Sequence, residues 1–146
     1  MTRINLIPPE QLCDQHLMAE YRELIRIPNG VVSGKLKSTY PDAPAHYKLG
    51  SGHIKFFCDK LPWLFYRHTE LFSELIHRGY NVAWMNWKEI IASEHYRYCT
   101  SFTPTQEELN LNIQRIIERM PVKPRWTNRD YPDYWVEAIA RGANHG

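Results

Sequence analysis

The chain has 146 residues, 43% of them hydrophobic, and a formal net charge of +2. That length and composition suit one folded domain with a real core and exclude a disordered chain or two full domains. So small a net charge does not by itself mark a nucleic-acid binder, so the placement of the cations matters more than their sum.

The opening MTRINL is short and extended, and Pro8-Pro9 interrupts any regular element after it. It lacks the apolar core of a signal peptide, no run is long enough to span a membrane, and a cytoplasmic protein is expected. A first helix is predicted from Asp14, read as its N-cap, to Arg26, with Leu17, Tyr21 and Leu24 on its buried face. Pro28-Asn29-Gly30 reads as a stop, and residues 29–50 as mostly loop. Gly50-Ser51-Gly52-His53 is a turn, and the apolar run Ile54 to Phe57 is too short to assign.

A second helix is predicted from Pro62 to Arg78, capped by Gly79, with Leu64, Arg67, His68, Leu71 and Leu75 along one stripe. A short helix is expected near residues 86–93. A third long helix is predicted from Pro104 to Met120 with Thr103 as cap and Leu109, Ile113, Ile116 and Ile117 buried. The tail from Val122 is rich in Pro, Arg and Trp, with a short helix expected at 134–141. No strand alternation supports a sheet, so the expected fold is all-α. Three cysteines without CxxC spacing argue against a disulfide framework or a zinc site. No metal and no cofactor are expected.

On the first helix, Gln15, Arg22 and Arg26 fall on one stripe and His16, Glu20 and Glu23 on the next. Such a face is either a solvated surface laced with ion pairs or a phosphate-binding ridge around a catalytic carboxylate; spacing alone does not choose. Thr2 adds a second clue. Its small side chain permits removal of Met1, which would expose an α-amine of pKa about 7.7–8.0, far richer in the neutral nucleophile at pH 7 than a lysine of about 10.4. Nearby Arg3, Arg22 and Arg26 would depress it further.

The blocks MTRINL, DQHLMAEYREL-x-R (14–26), LGSGHIKFFCDK (49–60) and RGYN (78–81), with Gln114-Arg115 and Lys123-Pro124-x-Trp126 later, resemble the phage-type pyrimidine-dimer DNA glycosylases, also called endonuclease V. The resemblance implies a compact all-α domain over 1–146, with three main helices, long loops and an irregular tail. It implies cleavage of the glycosidic bond at ultraviolet pyrimidine dimers in double-stranded DNA, then nicking at the abasic site as an AP lyase. By resemblance Thr2 is the nucleophile and Glu23 the catalytic carboxylate. Arg3, Gln15, His16, Arg22, Arg26, Arg115 and Arg119 line the DNA site, while Trp126, Tyr131 and Tyr134 of the tail either stack on unpaired bases or pack the tail against the core. Gly50 and Gly52 are expected to shape the backbone, and His53 to make a structural hydrogen bond. A monomer is the default, in a bacterial or virus-infected cytosol.

Two departures stand out. The family's aromatic WYKYYG tail is replaced by a differently spaced run from Trp126 to Trp135, so the same chemistry on another damaged or modified base, or on abasic sites only, is the first alternative. A non-catalytic DNA-binding module is the second. Ile25 also stands where the family has a proline, which predicts loss of a helix kink.

Overall fold

The computed structural model describes residues 4–143, and among them the regular structure is entirely helical. After an extended start, a 3-10 turn at Pro9–Gln11 leads into α1 (Asp14–Leu24) and α2 (Arg26–Ser33). These are followed by α3 (His53–Phe57), α4 (Leu61–His77), α5 (Lys88–Ala92), α6 (Glu94–Arg97), α7 (Gln106–Glu118) and α8 (Asp133–Ala140). No helix among the described residues is long and apolar enough to cross a membrane.

The three predicted main helices are α1, α4 and α7. The cap of α7 moves from Thr103 to Thr105, because Thr105 and Glu108 form a capping box: Glu108 N–H donates to Thr105 Oγ1 (3.1 Å) and Thr105 N–H to Glu108 Oε1 (2.8 Å). At the end of α4, Gly79 takes φ 89°, and Gly79 and Tyr80 N–H close back on Ile76 and Leu75 carbonyls, as a glycine cap requires.

The α1 cap and the 28–30 stop differ from expectation. Cys13 is the cap, its Sγ accepting from His16 N–H, and Asp14 is the first helical residue, buried at 1% exposure. Pro28-Asn29-Gly30 lies inside α2, because a proline in the first turn of a helix forfeits no hydrogen bond. Pro28 nevertheless denies the Leu24 carbonyl its i+4 donor, and its ring crowds that carbonyl. The chain therefore breaks at Ile25, between α1 and α2, despite the loss of a proline there.

Burial gathers in two clusters. The main core joins Leu17, Leu24, Phe56, Phe57, Leu64, Leu71 and Leu75 with the N-terminal Ile4 and Ile7, all at 2% exposure or less. A smaller cluster holds the tail: Trp126, Trp135 and Ala138 pack with Cys13. Its polar counterpart is a buried network in which Asp14 accepts from Arg78, Tyr80 and Thr127, while Glu74 accepts from Arg78 (2.8 Å) and Arg129 (2.8 and 2.9 Å). Burial works to raise the Asp14 and Glu74 pKa values, but the donors outweigh it and hold both below the usual carboxylate range.

Candidate active site on the polar face of α1

The extended segment 4–7 is buried without a strand beside it, so its backbone groups need side-chain partners. Ile4 N–H donates to His53 Nε2 (2.8 Å), and the Tyr47 hydroxyl donates to Ile4 C=O (2.8 Å). Leu6 and Ile7 N–H both donate to Asn112 Oδ1 (2.7 and 3.2 Å), and Arg67 Nη1 donates to Ile7 C=O (2.6 Å). Because His53 Nε2 accepts, its Nδ1 carries the hydrogen and donates to Lys48 C=O (2.8 Å). His53 thus makes the expected structural bond, on a turn whose Gly50 and Gly52 take φ 71° and 91°. Three helices and one loop therefore hold the segment from Ile4 to Ile7 in one register between α1, α4 and α7.

The two carboxylates of the α1 polar face have different surroundings. Glu20 is buried and both its oxygens are engaged: Arg67 Nε (2.7 Å) and Nη2 (2.9 Å) form a bidentate pair with it, and Asn5 Nδ2 donates to Oε1 (2.9 Å). Asn112 Nδ2 closes the network on Asn5 Oδ1 (2.8 Å). Glu23, one turn on, keeps a quarter of its side chain exposed and pairs with Arg26 Nη1 at 3.0 Å.

Between α1 and α7 lies an open cavity of about 130 Å³, lined by Asn5, His16, Glu20, Glu23, Arg115 and Arg119 among others. That volume is of the order that holds a small ring. His16 Nε2 lies 3.0 Å from the Arg119 carbonyl, which ties the first turn of α1 to the end of α7. Arg115 Nε is buried with no hydrogen-bond partner among the described residues. Arg22 near the end of α1 and Arg26 at the start of α2 are exposed, and they border a second groove with Asn29, Ser33 and Lys35. The arrangement is a carboxylate in a cavity that two arginines also line, with Asn5 of the anchored segment 4–7 on its wall. It suits a negatively charged ligand.

The expected residues do not all converge. Glu23, His16, Arg115 and Arg119 meet at the cavity. Gln15 faces the tail instead, with its amide donating to Lys123 C=O (3.1 Å) and accepting from Arg125 N–H (3.2 Å). Trp126 does not offer a stacking face: it is 6% exposed, lies against Tyr131 and Trp135, and its indole N–H donates to Gln11 C=O (3.1 Å). Tyr131, at 53% exposed, is the accessible aromatic of that cluster. Thr2 and Arg3 lie outside the described residues. Sequence reasoning missed Asn5, Glu20, Tyr47 and Asn112 as the frame of the site. The available signal was polar residues at core-facing positions, as with Arg67 on the apolar stripe of α4. Among the described residues no three His, Cys, Asp or Glu side chains gather as metal ligands.

Against known families, the model for pyrimidine dimer DNA glycosylases matches residues 1–87, well over half of the chain. The matched span holds the N-terminal segment, α1 with Glu23, the Gly50–His53 turn and α4. It stops before α7 and the tail. The chain belongs to the pyrimidine dimer DNA glycosylase family, and its substrate is DNA.

Proposed function

We propose that the protein excises the 5′ base of an ultraviolet pyrimidine dimer through an imine on its own N-terminal amine, then nicks the strand by β-elimination. Once Met1 is removed, the neutral α-amine of Thr2 attacks C1′. The new C–N bond forms as the glycosidic bond breaks, and the base leaves with the electron pair and takes up a proton. Ring opening gives the protonated imine. This acidifies C2′–H, and proton loss there expels the 3′ phosphate. Glu23 stabilises the developing positive charge at the sugar and relays protons during imine formation. Arg3, Arg22, Arg26, Arg115 and Arg119 bind phosphates of the duplex, and a nucleotide leaves the stack to expose C1′. His16 completes the cavity wall. The whole of 1–146 acts as one domain and as a monomer, since the chemistry needs one amine and one carboxylate.

The observation that carries this reading is the anchoring of the segment from Ile4 onward beside the cavity that Glu23 lines. Ile4 is held from both backbone sides by His53 and Tyr47, and Asn5 lines the same cavity as Glu23. Two peptide units separate residue 2 from Ile4, so covalent geometry limits the Cα–Cα separation to about 7.6 Å. The test is incubation of Met1-processed protein with dimer-containing, abasic and undamaged duplexes. Nicking of the first two and not the third is expected. Nicking of abasic duplex alone would assign a lyase without the glycosylase step, and no nicking would reject the reading.

A further inference from the structure

Resting on the duplex-DNA reading above, the geometry points to a second phosphate-binding arm in the tail, formed by Lys123 and Arg125 and positioned by Gln15. These cations lie outside the span matched by the family model. Their loop leaves the cavity directly from Arg119 and then runs along the first turn of α1. There its backbone is fastened three times. The Gln15 amide bonds Lys123 C=O and Arg125 N–H, and Asp14 N–H donates to Arg125 C=O (2.5 Å). Thr127 N–H donates to Asp14 Oδ1 (3.0 Å), which fixes the next residues.

Both side chains are nonetheless presented to solvent. Lys123 is exposed on a left-handed backbone (φ 54°), an uncommon conformation for a residue with a Cβ. Arg125 is 62% exposed, and its approach to Asp14 is long, at 3.9 Å. A carboxylate already served by Arg78, Tyr80 and Thr127 has little need of a fourth donor. A backbone so tightly held under two uncommitted cations fits a polyanion with a fixed charge spacing.

The arm lies at the opposite end of α1 from Arg22 and Arg26. From Gln15 to Arg22 α1 rises about 10 Å, roughly three base-pair steps of duplex, and Arg26 follows across the break at Ile25. The cavity with Glu23 and Arg115 sits between. Lys123 and Arg125 therefore contact the backbone on one side of the reacting nucleotide, and Arg22 and Arg26 on the other. Gln15 is a positioning residue here and touches no DNA.

The test is the salt dependence of duplex binding by the full chain, with Lys123→Asn and Arg125→Gln combined; asparagine tolerates the left-handed backbone. The double variant should keep its melting temperature and lower the slope of log K against log[salt] by about 1.8, the value for two phosphate contacts. Gln15→Ala should weaken binding in the wild-type background and have no further effect in the double variant. An unaltered slope in a folded double variant, or a Gln15→Ala effect that is the same in both backgrounds, would overturn the arm while leaving the repair reading intact. A wild-type protein that binds no duplex would overturn both.

Discussion

Asn112 Oδ1 accepts the backbone N–H groups of both Leu6 and Ile7, so a side chain on α7 sets the register of a segment more than a hundred residues earlier. Asn112 is fully buried, and no water can replace it cheaply. Asn112→Ala would remove the acceptor of two buried N–H donors and the donor to the Asn5 side-chain oxygen Oδ1. A loss of about 2–4 kcal/mol is expected, measured by urea unfolding, together with reduced nicking at a temperature where the variant remains folded. Full nicking with a loosened N-terminal segment would separate that segment from the chemistry.

Glu20 and Glu23 should respond differently to the same change. Glu20→Gln removes the charge facing buried Arg67, and about 3–5 kcal/mol of stability should go with it. Glu23→Gln weakens a partly exposed pair with Arg26 and leaves no buried cation stranded, so unfolding should shift by about 1 kcal/mol, well below the Glu20 loss. DNA binding should survive Glu23→Gln while cleavage is lost. Loss of binding with retained cleavage per bound molecule would assign Glu23 to structure.

Arg115 offers the reverse contrast. Its Nε has no acceptor among the described residues, so Arg115→Gln should change stability by no more than about 0.5 kcal/mol. Duplex affinity should nevertheless fall, with a flatter salt slope. A destabilised variant with unchanged affinity would place Arg115 in the scaffold.

Acid should act first through His68. It is fully buried between Tyr21, Trp84 and Trp87, its Nδ1 accepts from the Trp87 indole (3.2 Å), and burial pushes its pKa down to about 4. The unfolded chain takes up this proton near pH 6.5, whereas the folded chain resists it until about pH 4. Stability is therefore complete above pH 6.5 and declines by about 2–3 kcal/mol as pH falls towards 4. The paired carboxylates Asp14, Glu74 and Glu108, all held below their usual range, add their loss only at more acid pH. Urea unfolding of His68→Phe between pH 7 and 4.5 should lack the decline. An equal decline in that variant would assign it to other groups.

The parts of this molecule that local physics decides were legible before the fold. Leucine and isoleucine at helical spacing located α4 and α7, and Gly79 located the end of α4. The α7 cap slipped by two residues because both Thr103 and Thr105 satisfy the local rule, and only Thr105 has a glutamate three positions later. Pro28 read as a terminator because a sequence does not show whether a proline ends one helix or opens the next. The division of labour between Glu20 and Glu23 was hidden for a different reason. Both sit on the same face of α1, and what separates them is Arg67, 47 residues away. Trp126 was ambiguous in the same way: its burial depends on Trp135 and the Gln11 carbonyl, contacts that only the folded tail creates.

The most direct measurement of the central claim is borohydride reduction during reaction with abasic and dimer-containing duplex, followed by mass mapping of the adduct. The account predicts one covalent protein–DNA product, attached through the amine of residue 2 and absent when Met1 is retained. An adduct on a lysine, or equally efficient trapping with Met1 in place, would contradict it.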